Sequence, residues 1–139
     1  MTKPICVDFD GTIVTHEYPR IGRPVHGAID ALKALMKEGH KIILFTMRSG
    51  VYLSEAVYYL EENGIELHGV NRNPDQEEWT SSPKAYGQVY IDDASIGCPI
   101  YHPADGSRPY VNWEDVCSIL IRDGLLRSEV LPKYLGEKL

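Results

Sequence analysis

Two runs of continuous apolar character in this chain each stop on a pair of aspartates. Ile5-Cys6-Val7 leads into Asp8-Phe9-Asp10-Gly11-Thr12, and Val89-Tyr90-Ile91 leads into Asp92-Asp93. Short apolar runs without polar alternation are what strands look like when both faces are buried, as in parallel sheets. A carboxylate at the end of such a strand is expensive to bury unpaired, at about several kcal/mol. Folding alone does not account for four of them, so a cation is expected among them.

The rest of the chain alternates in the same way. Residues 4–9 read as the first strand. Across residues 25–37, Ile29, Leu32, Leu35 and Met36 recur on one helix face, and Gly39 marks a stop. Residues 41–45 read as a second strand ending on Thr46. Residues 51–62 read as a second helix, with Leu53, Val57 and Leu60 inward and Asn63-Gly64 closing it. A short third strand at residues 67–70, a polar loop at 71–83, a strand at 88–91 and a helix at 112–122 follow. A short edge strand is expected at 98–101. The pattern predicts an α/β fold: a single Rossmann-like domain over residues 1–139, with a parallel sheet and helices on both faces. Ligands of such sheets bind beyond the carboxyl ends of the strands, at a topological switch point. Asp8, Asp10, Thr46, Asp92 and Asp93 all fall at that edge.

At 139 residues the chain suits one core, and its 43% hydrophobic and 24% charged content is typical of soluble globular proteins. A formal net charge of -6 argues against a general nucleic-acid or anionic-membrane surface, which needs a basic face. No segment approaches transmembrane length, and Met1-Thr2-Lys3-Pro4 lacks the apolar stretch of a signal peptide. Cys6, Cys98 and Cys117 form no CxxC pair. Cys6 lies inside the first apolar run and reads as a reduced core thiol, which predicts a reducing, cytoplasmic setting.

Asp8 and Asp10 are two apart, so an extended backbone points both carboxylates to one side, and Gly11 lets the chain turn away. One carboxylate could attack an electrophile while the other moves a proton. Holding both close without raising one pKa requires a cation, and Asp92 and Asp93 can complete its oxygen shell. Such hard donors suit Mg2+. Asp-Gly is also common in hairpin turns, but a turn leaves the second acidic pair unexplained. The Thr46 hydroxyl, with the N–H groups of Met47 and Arg48 where the next helix starts, forms an anion contact, although Thr is also a routine N-cap. Lys84 would bring one positive charge near the last strand, where spacing alone favours a solvated loop lysine.

With these residues in place, the chain resembles the haloacid dehalogenase-like hydrolase superfamily. Its first motif, DxDGT, corresponds to Asp8-Phe9-Asp10-Gly11-Thr12, its hydroxyl motif to Thr46, its lysine to Lys84 and its acidic pair to Asp92-Asp93. The resemblance implies phosphoryl transfer through an aspartyl-phosphate: Asp8 as nucleophile, Asp10 as general acid and then base, Thr46 and Lys84 stabilising charge. It also implies Mg2+ on Asp8, the Asp10 backbone carbonyl and Asp92, with Asp93 as a ligand through water or a supporting partner. The intervals 11–41 and 46–84 hold a flap-like loop (12–24) and single elements, with no independent cap domain. Capless members imply a phosphorylated substrate, small-molecule or macromolecular, and a homo-oligomer that covers the open site.

Specificity candidates are His16, Arg20 and Arg23 on the flap, Arg48, and Asn71-Arg72. Arg48 is the strongest, two residues from Thr46 and with a fork suited to phosphate. His16 reads as an exposed loop histidine. Tyr52, Tyr58 and Tyr59 read as a sticky helix face or as packing. The leading function is therefore an Mg2+-dependent phosphatase. The competing reading is a phosphoacceptor or phosphate-binding regulatory module with little turnover. A receiver-like version of it fails at the third strand, which ends on Asn71 where a receiver carries its phosphorylated aspartate. A phosphomutase would need a cap to exclude water.

Overall fold

The computed structural model describes residues 2–136. The apolar runs become β1 (Pro4–Val7), β2 (Lys41–Leu44), β3 (Leu67–Val70) and β4 (Val89–Ile91), all parallel, in the order β3-β2-β1-β4. The chain steps outward from β1 to β2 and β3, then crosses back to place β4 on the far side of β1. The switch point therefore lies between β1 and β4. There Val7 stands level with Ile91, and the Asp8 N–H donates to the Ile91 carbonyl at 2.9 Å. The two acidic pairs leave the sheet side by side.

Strand alternation divides the core. Ile5, Val7, Ile42, Leu44 and Ile91 join α1 (Ala28–Lys37), α2 (Gly50–Glu62) and α3 (Trp113–Arg122) through Leu32, Leu35, Leu60, Trp113 and Leu120 in one apolar cluster. Cys6, Ile43 and Tyr90 face the other way, against Ala85. That face is covered by the crossover of residues 71–88, whose helical content is a 3-10 turn, Pro74–Gln76. Gln76 braces it: its amide donates to the Ser82 and Lys84 carbonyls, and its side-chain oxygen accepts the Tyr86 N–H at 2.7 Å. The molecule is a Rossmann-like α/β domain, with the heavier helical layer on one side.

Two expected elements differ. The first helix starts at Ala28, three residues late, because the Val25 N–H donates to the Ile13 carbonyl and so belongs to the stem of the flap. Residues 98–101 do not extend the parallel sheet. Ile100–Tyr101 (β5) instead pairs antiparallel with Tyr110–Val111 (β6) in a separate ribbon. The ribbon serves the acidic turn, since the Val111 N–H donates to the Gly11 carbonyl at 2.9 Å. Asn112 caps α3 by accepting the Asp115 N–H. A short α4 (Lys133–Gly136) closes the described chain. Among the described residues, no helix is long and apolar enough to cross a membrane. The three cysteines are free, and Cys6 is buried with its thiol toward the Ala85 carbonyl.

Candidate active site

Three of the four aspartates converge. Asp8, Asp92 and Asp93 each offer a carboxylate oxygen, and the three oxygens lie within 4.8 Å of one another. Thr12, fully buried, links them: its hydroxyl donates to Asp8 Oδ2 at 2.9 Å and accepts the Asp93 N–H at 3.2 Å. Thr12 is itself held by the Trp113 indole, whose Nε1–H donates to the Thr12 carbonyl at 2.7 Å. Asp93 Oδ2 also meets His16 Nε2 at 2.9 Å, so the flap histidine is half-buried against the acidic pair and is not an exposed loop residue. Gly11 makes this approach feasible. Its φ of +82° is left-handed, and a Cβ there would stand 2.0 Å from His16 Nε2.

The electrostatics fit a divalent cation. Burial first, then the negative charge of Asp92 and the contact with Asp93, push the Asp8 carboxyl up to about 8. Asp92 is also raised, chiefly by burial, against the lowering effect of the Ala94 N–H. Among the described residues, neither Asp8 nor Asp92 has a Lys or Arg ion-pair partner; the nearby His16 imidazole and Arg48 guanidinium are taken by Asp93 and Asp10. An all-oxygen donor set with uncompensated like charge suits Mg2+. The Asp10 backbone carbonyl takes no hydrogen bond from the loop around it among the described residues, so it is available as a further oxygen donor.

The Asp10 side chain turns away from this cluster. Both its oxygens accept from Arg48, Oδ2 from Nε and Oδ1 from Nη2, each at 2.8 Å. Arg48 also donates through Nη1 to the Pro19 and Tyr52 carbonyls and through Nη2 to the Arg20 carbonyl. All five of its N–H groups are engaged and its side chain is 1% exposed, which corrects its assignment as a substrate contact. Arg20 and Arg23 remain exposed on the flap.

Thr46 sits at the same edge. Its N–H donates to Asn71 Oδ1 at 2.7 Å, and its hydroxyl oxygen accepts the Arg48 N–H, leaving its proton free to donate. Asn71 adopts a left-handed φ of 54° to make that bond, a conformation asparagine tolerates better than most residues. Met47 projects into solvent at 98% exposure, so only its backbone faces the site edge. Lys84 reaches no carboxylate of the cluster. Its ammonium lies 5.3 Å over the Tyr90 ring. Tyr52, Tyr58 and Tyr59 of α2 line one open groove with Pro19, Ile21 and Val51; Tyr52 and Tyr58 are exposed there, while Tyr59 also packs inward, edge-on to Phe9.

Sequence reading passed over Thr12 as a bridge, His16 as a partner of Asp93, and Trp113. Thr12 lay inside the DxDGT motif and was the one recoverable from sequence. The other two act across 77 and 101 residues, with no local signal.

A solved structure from Bacteroides thetaiotaomicron, described as that of a conserved protein coded by a locus of that organism, resembles this chain in both sequence and fold. It is 33% identical with a TM-score of 0.70, covering 88% of this chain and 92% of that one. The two chains belong to one family. No protein-family model and no curated protein matches the chain. The α/β architecture is thus shared within that family, and the chemistry has to be argued from the residues.

Proposed function

We propose that this chain is an Mg2+-dependent phosphatase of the haloacid dehalogenase-like kind, hydrolysing a phosphomonoester through an aspartyl-phosphate on Asp8. The observation that carries the reading is the convergence of Asp8, Asp92 and Asp93 at the β1/β4 switch point, where among the described residues no Lys or Arg pairs with Asp8 or Asp92. Mg2+, held by these carboxylates and the Asp10 carbonyl, supplies charge neutralisation where two anions must meet. Asp8 Oδ2 is tied to Thr12, which leaves Oδ1 to form the bond to phosphorus as the ester oxygen departs. Asp10, once its carboxyl rotates off Arg48 toward Asp8, delivers the proton to that oxygen and then takes one from the water that cleaves the acyl phosphate, restoring the Asp8 carboxylate and releasing phosphate. The Thr46 hydroxyl and the N–H of Met47 supply hydrogen bonds to the phosphoryl oxygens. Lys84 contributes only if its ammonium leaves the Tyr90 ring.

The substrate is phosphorylated and reaches an edge with no inserted cap domain, so small molecules, with a second copy covering the site, and macromolecules both fit. Three free cysteines accord with a reducing, cytoplasmic setting. The test is hydrolysis of an aryl phosphate by wild type and Asp8→Asn. Turnover that needs Mg2+ and vanishes in Asp8→Asn supports the reading. Metal-free turnover, or an active Asp8→Asn, refutes it.

One observation favours a second reading, a phosphoacceptor module with little turnover. Both oxygens of the acid/base candidate Asp10 are held by Arg48. A stoichiometric, slowly decaying phosphoprotein formed from acetyl phosphate, without catalytic turnover, would select it.

A further inference from the structure

Arg48 stands at the meeting of three segments that are distant in the chain. It pairs with Asp10 after β1, takes the carbonyls of Pro19 and Arg20 on the flap, and takes the carbonyl of Tyr52 in α2. Its guanidinium carbon lies 5.1 Å from the ring centres of both Phe9 and Tyr18. Tyr18 in turn packs edge-on against Tyr52, with ring centres 5.6 Å apart. We propose that Arg48 is a positioning residue that couples the flap to Asp10, so that the carboxylate is held in place only while the flap is down.

The coupling follows from counting donors. A buried guanidinium with five N–H groups in a rigid fork meets five acceptors here, and none is spare. If residues 18–20 lift, two carbonyls and one aromatic face leave the cation together. The stranded N–H groups must then find water or new partners, and the paired Asp10 carboxylate is freed to rotate. Conversely, the stem of the flap is tied down independently, since the Thr15 N–H donates to the Arg23 carbonyl and the Arg23 N–H to the Thr15 hydroxyl. The stem is thus held without Arg48, whereas at the tip the Pro19 and Arg20 carbonyls are held by Arg48. Lysine cannot substitute, because one ammonium cannot serve a bidentate carboxylate and three carbonyls in this plane.

The inference rests on the phosphatase reading for what Asp10 does, and its test has an arm that needs no activity. Hydrogen exchange of flap peptides, with α1 as reference, is followed in the full chain for wild type, Arg48→Lys and Tyr18→Ala, alongside kcat and KM for an aryl phosphate with Mg2+. Arg48→Lys is expected to speed exchange at the flap tip by about tenfold, the scale of two lost hydrogen bonds, while α1 keeps its protection. It is also expected to change kcat more than KM, because substrate still meets Thr46 and Asp8 while Asp10 loses the pair that sets its position. A residue that only supports the fold would loosen α1 and the flap together. If Arg48→Lys loosens the whole chain, Tyr18→Ala decides: the ring is about half exposed, its loss removes none of the hydrogen-bond partners of Arg48, and the flap tip alone should exchange faster. Unchanged flap exchange in both variants, or wild-type kcat in a folded Arg48→Lys, overturns the coupling. A wild type with no phosphatase activity sinks the function above, and the coupling then stands or falls on exchange.

Discussion

Gly11 and Asp8 show the site's demands on single residues. At Gly11 the backbone is left-handed, and the space that a Cβ would take is filled by His16 Nε2 at 2.0 Å and Asp93 Oδ2 at 2.6 Å. Gly11→Ala must strain the turn and push the histidine off Asp93, so it should destabilise the protein by about 1–3 kcal/mol or more and reduce any Mg2+-dependent activity. Denaturant unfolding with a parallel activity assay checks both. Asp8 carries the pH dependence. Its folded pKa of about 8 lies above the ordinary 3.8, so the folded metal-free protein keeps a proton that the unfolded chain has released. Its stabilising contribution is complete below about 3.8 and is lost as pH rises through about 8. Asp92, raised chiefly by burial, adds to the slope in the same direction. The melting temperature of metal-free protein, read by circular dichroism, should fall across that window. Asp8→Asn should flatten the fall, and an unchanged slope would contradict the assignment.

Elements far from the acidic turn hold it in place. The β5–β6 ribbon meets the turn through Val111, and α3 meets it through Trp113, which is 1% exposed. Trp113→Phe keeps most of the apolar contact but leaves the Thr12 carbonyl without its donor, at a cost of about 1–3 kcal/mol. It should weaken Mg2+ binding more than a core substitution of equal stability cost, because Thr12 sets the spacing of Asp8 and Asp93. Unfolding and metal titration on the same variant separate the two effects. The main strands and helices were readable in the sequence because continuous apolar runs and a one-face helical period survive in isolation. Of the ribbon, β5 falls within the strand expected at 98–101, whereas β6 and the antiparallel pairing were not readable, since a strand of two residues beside Pro109 carries no period. Nor was the aim of Arg48. Its spacing from Thr46 suggested a phosphate contact, but its five acceptors come from segments that only the fold assembles.

Across the whole molecule, strand order decides where chemistry can occur. Reversal of the strand order at β1 opens the sheet edge between the parallel β1 and β4, at the point where both acidic pairs emerge. The DxDGT and Asp-Asp motifs were legible as a site because each directly follows an apolar run; their closeness required the order β3-β2-β1-β4. The heavier helical layer on one face and the 71–88 crossover on the other bury these strands, so the carboxylates end in a partly desolvated cluster and repel one another. A ligand that binds the folded state alone stabilises it by mass action. The most direct test is therefore calorimetric titration of Mg2+ into wild type, Asp8→Asn and Asp92→Asn at mildly alkaline pH. Convergence predicts a single site in wild type, weakened about tenfold or more in each variant, the scale seen even for lost supporting partners of metal ligands. Equal affinity in all three proteins, or no binding in wild type, would contradict a shared ion among Asp8, Asp92 and Asp93.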